Sequence, residues 1–424
     1  MNNSNRVFIT GLGALTSSGE TAEQTWENVL AGQTGIAEIT QWDLSSWSHR
    51  LGGELKNFQP AKMLPDRKLL KVISRQDVIG INAAMQAVNH SQLIEYRQNL
   101  EDDTEFNEQT AVYVGSPGNK YFQQDDFLPL LAKTNNDMQA FAENLSAEVH
   151  PMWLLRILPN NVLAYTGITY GFKGPNHNIT NHAVSGTQAL IEAYHAIKQG
   201  QAERAIVVAY DVMEPQSLFY YEKLGVLSNC HLKPFDKEHN GTILADGAAA
   251  IVLESEASVR KRSAHCYGEI TAGLSATESS GLFSIEKEGE PLSDLLSNTL
   301  ENYQIHPSEI AMVAAHGNGN SKSDNSEALA IQRVFGDYQV PVTAFKWSVG
   351  HTICASGIID AVLATLALRD KCIPGIANFK SPSKESESLN ISANHRNFNQ
   401  GNSILIINRG FASINACLVI KACE

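Results

Sequence analysis

Stretches that favour strands alternate with stretches of helical periodicity along almost the whole chain. Residues 6–10, 111–114 and 205–209 are short apolar runs, which is typical of buried strands. Between them, residues 77–88 and 183–199 place apolar side chains at helical spacing. Because parallel strands need a crossover that a helix commonly supplies, this alternation predicts an α/β protein with largely parallel sheets.

The second half of the chain repeats this rhythm. Strand-like runs at 311–315 and 340–345 alternate with helical patterns at 326–334 and 357–368. The polar residues 255–262 follow a strand and suggest a boundary. We therefore expect a duplicated protein, with an N-terminal half at 1–255 and a C-terminal half at 256–424.

A short internal echo agrees with duplication. The sequence Ala-Val-Ser-Gly at 183–186 is matched by Cys-Ala-Ser-Gly at 354–357, and each opens an apolar helix. Four small residues match easily by chance, so the echo adds support without deciding the question.

Composition and charge exclude several classes of protein. The chain has 424 residues, 43% of them hydrophobic, which is ample for one large core or two fused ones. A net charge of -13 disfavours nonspecific nucleic-acid binding. We find no signal-peptide pattern and no segment able to span a bilayer. Six scattered cysteines predict neither a disulfide framework nor a zinc site, so we expect a cytoplasmic protein with reduced thiols.

Two histidine motifs carry the strongest chemical signal. His316 opens a His-Gly-Asn-Gly-Asn sequence after a strand, where a side chain can reach the ligand-binding edge of a sheet. The glycines allow the backbone to approach an extended substrate closely. Lys346 precedes a Gly-His pair that ends at His351. Taken singly, each motif also fits a structural turn, so their combination is what matters.

In combination, these segments resemble β-ketoacyl-ACP synthases of the KAS II type, the ketosynthases of the thiolase superfamily. Residues 316–320 resemble the family's His-Gly-Thr-Gly-Thr motif, and residues 410–416 resemble its Gly-Phe-Gly-Gly-Thr-Asn loop. Residues 234–236 resemble its Pro-Phe-Asp segment. The matches come in family order and cover essentially the whole chain. The resemblance implies a thiolase-like duplicated fold of five layers, α-β-α-β-α.

The resemblance also assigns a catalytic site to this chain. Residue 183 falls on the nucleophilic cysteine at the start of a helix, but this chain has Ala183 there. The resemblance implies that His316 and His351 stabilise the enolate formed when malonyl-carrier protein loses carbon dioxide. Lys346 supplies positive charge and orders the site. No metal is implied.

Further residues around this site follow from the same resemblance. Phe411, after Gly410, gates the acyl pocket, and its backbone N–H contributes to the oxyanion hole. Asn318 and Asn320 stand where the family has threonines that hydrogen-bond the phosphopantetheine arm. Asparagine also donates and accepts hydrogen bonds but is longer, so the placement of the arm is expected to differ.

Other departures lie close to the nucleophile position. His182 replaces the usual alanine, and we expect a structural role for it because neighbouring residues at a helix start point apart. Arg409 stands where phenylalanine is common. Ala412 and Ser413 replace a glycine pair, which predicts a less mobile gate.

Alanine has no lone pair to donate, so the resemblance predicts no condensation at residue 183. Three interpretations stay open. The chain is an inactivated Cys-to-Ala form of a 3-oxoacyl-[acyl-carrier-protein] synthase of fatty-acid or type II polyketide biosynthesis. It is instead a naturally inactive subunit like a chain-length factor, paired with an active ketosynthase. Or it is a decarboxylase or binding scaffold.

The resemblance also predicts the partners. Substrates arrive on the phosphopantetheine of acyl carrier protein, and no tightly bound cofactor is expected. We expect either a homodimer or a ketosynthase/chain-length-factor heterodimer, formed through the strand at 205–209. Nucleic acid and membrane are not expected partners.

Overall fold

The computed structural model describes residues 6–118 and 123–423. Across these ranges the strands are β1 Val7–Thr16, β2 Ala37–Glu38, β3 Leu51–Gly52, β4 Thr110–Gly115, β5 Asn176–Ile179, β6 Arg204–Asp211, β7 Gly247–Ser255, β8 Gly268–Thr277, β9 Ile310–Ala314, β10 Pro341–Thr343, β11 Cys372–Ile373, β12 Asn390–Ile391, β13 Arg396–Asn397, β14 Ser403–Gly410 and β15 Ile414–Lys421.

The α-helices in the same ranges are α1 Ala22–Leu30, α2 Arg75–Ser91, α3 Leu93–Arg97, α4 Thr104–Glu108, α5 Gln123–Lys133, α6 Met138–Glu148, α7 Trp153–Ile157, α8 Asn161–Tyr170, α9 Ser185–Lys198, α10 Pro215–Lys223, α11 Glu256–Arg262, α12 Glu290–Asn302, α13 Ser321–Phe335, α14 Lys346–Val349 and α15 Ser356–Asp370. Two short 3₁₀ helices, His182–Val184 and Ile353–Ala355, lead directly into α9 and α15.

The large sheet shows the duplication in its strand order. Among the described residues it runs β12-β10-β9-β14-β15-β8-β1-β7-β6-β4-β5. Outward from the central β8-β1 pair, one side reads β1-β7-β6-β4-β5 and the other reads β8-β15-β14-β9-β10. Each side has the same order relative to its own first strand. The repeat seen in the sequence is therefore a repeat of topology, although whether each half is a domain in its own right stays a prediction.

The helices lie in layers around this sheet. Helices α9 and α15 contact each other, and each contacts strands of both halves. Helix α2 packs on β1, β6 and β7, whereas α12 packs on β8, β15 and α13. The two central helices are thus covered on both sides by strands, and the strands are covered by outer helices. This agrees with the five-layer, thiolase-like fold that the resemblance implies.

The prediction of largely parallel sheets was wrong. Strand β4 pairs in parallel with β5 and β6, and β9 pairs in parallel with β10 and β14. The middle of the sheet is antiparallel, from β6 through β7, β1, β8 and β15 to β14. A tight turn joins β14 to β15, and such a hairpin forces antiparallel pairing.

The first strand is longer than predicted, because its glycines continue it. β1 runs past Gly11 and Gly13 to Thr16. A β-carbon on either glycine would lie 2.4 Å from a backbone oxygen of α2, on Ala87 and Ala83 respectively. Glycine is needed here because helix and strand backbones touch, so these residues hold α2 onto the sheet.

The prediction that a dimer extends its sheet through residues 205–209 was also wrong, although dimerisation itself stays a prediction. These residues lie in β6, which has β4 on one side and β7 on the other. A strand with both neighbours in place has no hydrogen-bonding groups left to extend the sheet. Within the described residues, β5 lies at this end of the sheet and pairs with β4.

Two cysteines are paired, contrary to the expectation of reduced thiols. Cys266 and Cys423 form a disulfide with their Cα atoms 6.2 Å apart. It links the residues just before β8 to those just after β15. Separately, no described helix has the length and apolar character required to cross a membrane.

Candidate active site

The nucleophile position lies at a sharp turn between β5 and α9. His182 has a φ of 50°, in the left-handed region, and the chain then enters a 3₁₀ turn before α9. The Ser185 hydroxyl accepts from the backbone N–H of Asn181 and donates to the backbone oxygen of His182, each at 2.7 Å. Ala183 is fully buried. The serine therefore fixes the turn that places residue 183 at the helix start.

His316 is held at the end of β9 by a buried carboxylate. Glu327 of α13 accepts from the backbone N–H of His316 at 2.7 Å and from that of Gly317 at 3.0 Å. Nδ1 of His316 accepts from the backbone N–H of Arg409 at 3.4 Å. A neutral imidazole that accepts at Nδ1 carries its proton on Nε2. The arrangement therefore makes His316 a hydrogen-bond donor at Nε2.

His351 faces His316 across the same site. The two ring centroids are 5.3 Å apart and the rings are nearly perpendicular, at 83°. Nδ1 of His351 lies 3.0 Å from Oγ of Ser356, the first residue of α15. When this hydroxyl donates, the proton of the neutral ring lies on Nε2. Two neutral imidazoles can then offer N–H donors to one small volume.

Burial keeps both histidines uncharged. It lowers the pKa of His316 well below the usual value, and the positive charge of Lys346 adds to this effect. Burial and Lys346 likewise lower the pKa of His351. Nζ of Lys346 is 2.8 Å from a carboxylate oxygen of Asp360, and both side chains are buried. Lys346 thus acts on the histidines through its field, held in place by Asp360.

A cavity of about 200 Å³ collects most of the residues assigned from the sequence. Its lining includes His316, His351, Asn318, Asn320, Gly410 and Phe411. Neither Ala183 nor Lys346 lines it. The backbone of Ala183 lies just behind Gly410, where a β-carbon on the glycine would be 3.4 Å from the Ala183 nitrogen. The cavity is therefore a site in which residues from both halves of the chain meet.

Asn318 and Asn320 line the cavity while also serving the local backbone. Oδ1 of Asn318 accepts from the backbone N–H of Asn320 at 3.0 Å. Oδ1 of Asn320 accepts from the first N–H groups of α13, on Lys322 and Ser323. Asparagine is a favoured helix N-cap. Both side-chain oxygens thus accept hydrogen bonds from the backbone, and the side-chain N–H groups are the atoms available to donate to a substrate arm.

The side chain of His182, for which the sequence predicts a structural role, lines the same cavity as His316 and His351. Whether its role is structural stays a prediction. Nδ1 accepts from the backbone N–H of Phe411 at 3.2 Å, and Nε2 lies 2.5 Å from the hydroxyl of Tyr221. The ring stacks on Phe411 with centroids 4.3 Å apart. Burial lowers the pKa of His182 to about 4. The left-handed turn, which sequence periodicity does not reveal, directs this side chain into the site.

The side chain of Arg409 is buried next to the loop that carries Phe411. Its guanidinium donates to Glu278 at 2.7 Å, to Asn415 at 3.0 Å and to the backbone oxygen of Ser323 at 3.0 Å. The charge on Arg409 further lowers the pKa of His316. The sequence identifies Arg409 as a departure from the family's pattern, but Glu278 was not predicted to lie near the site. In the sequence, Glu278 is an isolated acidic residue just after β8.

Hydrogen bonds fix the turn between Phe411 and β15, whereas the lower mobility of the gate stays a prediction. Ala412 and Ser413 have φ values of 63° and 56°. The Ser413 hydroxyl donates to the backbone oxygens of Gly281 and Ser284, at 2.7 and 3.0 Å. These bonds hold the loop in place against residues 281–284.

A second cavity, of about 410 Å³, lies on the other side of His182 and Phe411. Asp211 and Cys354 contribute to its wall, and both are buried. Burial raises the pKa of Asp211 to about 7 and that of the Cys354 thiol well above its usual value. Cys354 is therefore a neutral thiol, and the thiol is a far weaker nucleophile than the thiolate.

The comparisons with known proteins show the family to which the chain belongs. The family model described as "Beta-ketoacyl synthase, N-terminal domain" matches residues 4–258. The chain belongs to the β-ketoacyl synthase family. The model described as "Beta-ketoacyl synthase, C-terminal domain" matches residues 267–380 of this β-ketoacyl synthase.

Curated relatives match this β-ketoacyl synthase over nearly its whole length. It is 27% identical to 3-oxoacyl-[acyl-carrier-protein] synthase 2 of Coxiella burnetii, with 98% of each chain covered. It is also 27% identical to the protein of the same name from Staphylococcus aureus strain N315, with 100% of each chain covered. The chain thus resembles 3-oxoacyl-[acyl-carrier-protein] synthases from end to end.

Solved structures share the fold of this β-ketoacyl synthase. "The ishigamide ketosynthase/chain length factor" superposes with a TM-score of 0.88 at 21% identity, covering 100% of both chains. A β-ketoacyl synthase from Burkholderia phymatum gives 0.86 at 20% identity, covering 99% of this chain and 100% of that one. A type II PKS ketosynthase, solved with its acyl-carrier protein and bound to a hexaketide, gives 0.85 at 20% identity and full coverage of both.

The described part of this β-ketoacyl synthase offers no obvious metal site. Among those residues, no group of three or more His, Cys, Asp or Glu side chains is arranged to hold a metal ion. The donors that face the cavity include the neutral imidazoles of His316 and His351, and the side chains of Asn318 and Asn320 line its wall. This set suits the stabilisation of negative charge on an oxygen atom.

Proposed function

We propose that this β-ketoacyl synthase family member binds a malonyl-type thioester on an acyl carrier protein and does not condense it. The observation that carries the proposal is the facing pair His316 and His351, both neutral and both on the cavity wall. Keeping two imidazoles in a buried cavity costs desolvation, which a purely structural site has no need to meet. Ala183 offers no group that could carry an acyl chain.

The supported chemistry is decarboxylation. The thioester oxygen of the bound malonyl group accepts hydrogen bonds from the N–H groups of His316 and His351. The bond between the carboxylate and the methylene carbon breaks, its electron pair moves into the enolate, and carbon dioxide leaves. A water molecule then protonates the methylene carbon, which gives the acetyl thioester and a hydroxide ion that leaves to the solvent. The histidines donate hydrogen bonds throughout and do not change their protonation state.

Substrate delivery follows from the same site. We propose that the carrier protein presents the thioester on its phosphopantetheine arm, with the amides of Asn318 and Asn320 beside the arm. The chain itself contributes no tightly bound cofactor. We also keep the cytoplasm as the proposed location.

The role of the native protein depends on whether Ala183 is native or replaces a native cysteine. A Cys-to-Ala replacement would make this an inactivated 3-oxoacyl-[acyl-carrier-protein] synthase that condenses in its native form. A native alanine makes it a non-condensing member of the family. His182 favours a native alanine, because replacing one cysteine does not place an imidazole against the N–H of Phe411. The codon for residue 183 in the encoding gene decides between them.

Conversion of malonyl-carrier protein to acetyl-carrier protein tests the proposed chemistry. Intact-protein mass spectrometry would follow the carrier over time, with the chain as given and with a His316→Ala variant. We expect conversion by the chain as given and its loss in the variant. A well-folded chain that converts no more carrier protein than buffer alone would refute the decarboxylation.

A second role is that of a subunit like a chain-length factor, paired with an active ketosynthase. The observation in its favour is β5, which forms one end of the described sheet and runs directly into the turn at His182. A second chain added at this edge would lie next to the site. Co-expression with a condensing ketosynthase, followed by size-exclusion chromatography, separates this role from a homodimer. Recovery as a homodimer or monomer in the presence of that ketosynthase would count against pairing.

A further inference from the structure

The backbone N–H of Phe411 already has a hydrogen-bond acceptor. Nδ1 of His182 takes this proton at 3.2 Å, and its other ring nitrogen is bonded to Tyr221. A backbone amide has one proton and makes one strong hydrogen bond. An acyl thioester at residue 183 would need this same N–H for its oxyanion, so the imidazole and the thioester compete for one donor.

The surroundings hold the imidazole in this position. Its ring stacks on Phe411 at an interplanar angle of 17°, and its Nε2 is hydrogen-bonded to the hydroxyl of Tyr221, which also contacts Phe411. Because Nδ1 accepts, Nε2 carries the proton and donates to Tyr221. The Phe411 loop cannot withdraw easily, since Ser413 fastens it to residues 281–284.

We propose that His182 is a specificity-determining residue that closes the acyl-thioester half of the site and leaves the His316–His351 half open. Two thioesters take part in the family's condensation. This chain keeps His316 and His351 as donors for the malonyl thioester, whereas the side chain of His182 occupies the backbone N–H that the acyl thioester would need. The absence of the thiol and the presence of His182 are thus two independent barriers to acylation. This inference rests on the proposed function for the identity of the two half-sites.

The test restores the thiol and then removes the second barrier. Ala183→Cys is compared with Ala183→Cys/His182→Ala and with Ala183→Cys/His182→Asn. Asparagine keeps an oxygen acceptor near the position of Nδ1, so it is the matched control. Each protein is treated with an acyl-carrier protein and, separately, with iodoacetamide. Acylation needs the oxyanion donor, whereas alkylation reports only the reactivity and access of the thiol.

We expect the ratio of the acylation rate to the alkylation rate to rise about 100-fold on His182→Ala, the usual effect of one oxyanion-hole donor. The asparagine variant should stay near the Ala183→Cys value. If alanine loosens the turn, His182→Gly replaces it, because glycine accepts the φ of 50° without strain.

An equal ratio in Ala183→Cys and in both double variants would overturn the proposal. The result is independent of decarboxylation, which is measured separately on malonyl-carrier protein with the chain as given. Failure of decarboxylation with a raised acylation ratio would refute the proposed function and keep the role of His182. The reverse outcome would refute the role of His182 alone.

Discussion

Nδ1 of His182 lies 3.2 Å from the backbone nitrogen of Phe411 and accepts its hydrogen bond. These residues are more than two hundred positions apart in the chain, one before the helix of the first half and one at the hairpin of the second. Their contact joins the two halves at the wall of the cavity that His316 and His351 also line. The imidazole in this contact is uncharged at neutral pH, because burial lowers the pKa of His182 to about 4.

Removing either histidine of the facing pair should abolish most of the decarboxylation. We expect His316→Ala and His351→Ala each to slow the release of carbon dioxide from malonyl-carrier protein by about 100-fold, because each removes one donor to the developing oxyanion. His150→Ala, at an exposed histidine, is the control. Rates within a few-fold of the unmodified chain for either site variant would contradict the assignment.

The stability of the protein should depend on pH through His182. Its pKa is about 4 in the folded chain, against about 6.5 in an unfolded one. Between these values the unfolded state binds a proton that the folded state does not. The contribution of His182 to stability is therefore complete above pH 6.5 and is lost as the pH falls toward 4, at up to about 1.4 kcal/mol per pH unit.

Urea unfolding of the chain as given and of His182→Asn, at several pH values from 8 to 4, checks this dependence. The substitution removes the titrating group, so the difference between the two free energies of unfolding should be constant above pH 6.5. It should then shift in favour of the variant as the pH falls. Asp211 and Glu327, whose raised pKa values act with the opposite sign, are present in both proteins and cancel in the difference.

Removing one member of the buried ion pair Lys346–Asp360 should lower the free energy of unfolding strongly, whereas replacing both members with apolar residues should lower it little. Lys346→Met leaves the Asp360 carboxylate without its cation, and we expect a loss of about 3–5 kcal/mol in the free energy of unfolding. Lys346→Met/Asp360→Leu removes both charges and should recover most of that loss. A double variant no more stable than the single one, by urea unfolding, would show that the two side chains do not act as a pair.

The disulfide between Cys266 and Cys423 should protect both residues from alkylation. Unfolded protein treated with iodoacetamide without a reductant should be modified at Cys230, Cys354, Cys372 and Cys417. Prior reduction should raise the number of modified residues to the six in the sequence. Modification of all six without reduction, in protein purified under oxidising conditions, would argue against the bond.

The sequence predicted the strand–helix rhythm well because apolar periodicity is a local property. It also predicted that His316, His351 and Phe411 belong together, since their motifs follow the family's order, and the structure places all three on one cavity. Whether they have the assigned catalytic roles stays a prediction.

Other features of the fold and the site were not predictable from the sequence, for physical reasons. The direction in which strands pair depends on the connections between them, so the antiparallel middle of the sheet was not visible in residues 6–10 or 205–209. The orientation of His182 depends on one left-handed φ angle, which no pattern of residue types specifies. The pairing of Cys266 with Cys423 depends on the adjacent ends of β8 and β15, which only the folded sheet brings together.

The packing of the two central helices, α9 and α15, affects how this fold can change in evolution. Gly186 of α9 packs against the backbone of Cys354, and Gly357 of α15 packs against Thr187, so the two helix starts brace each other inside the molecule. The turn that presents residue 183 is therefore part of the foundation of the fold. A substitution of the side chain at residue 183 leaves this packing intact, so the fold and its cavity persist when the chemistry at that residue changes.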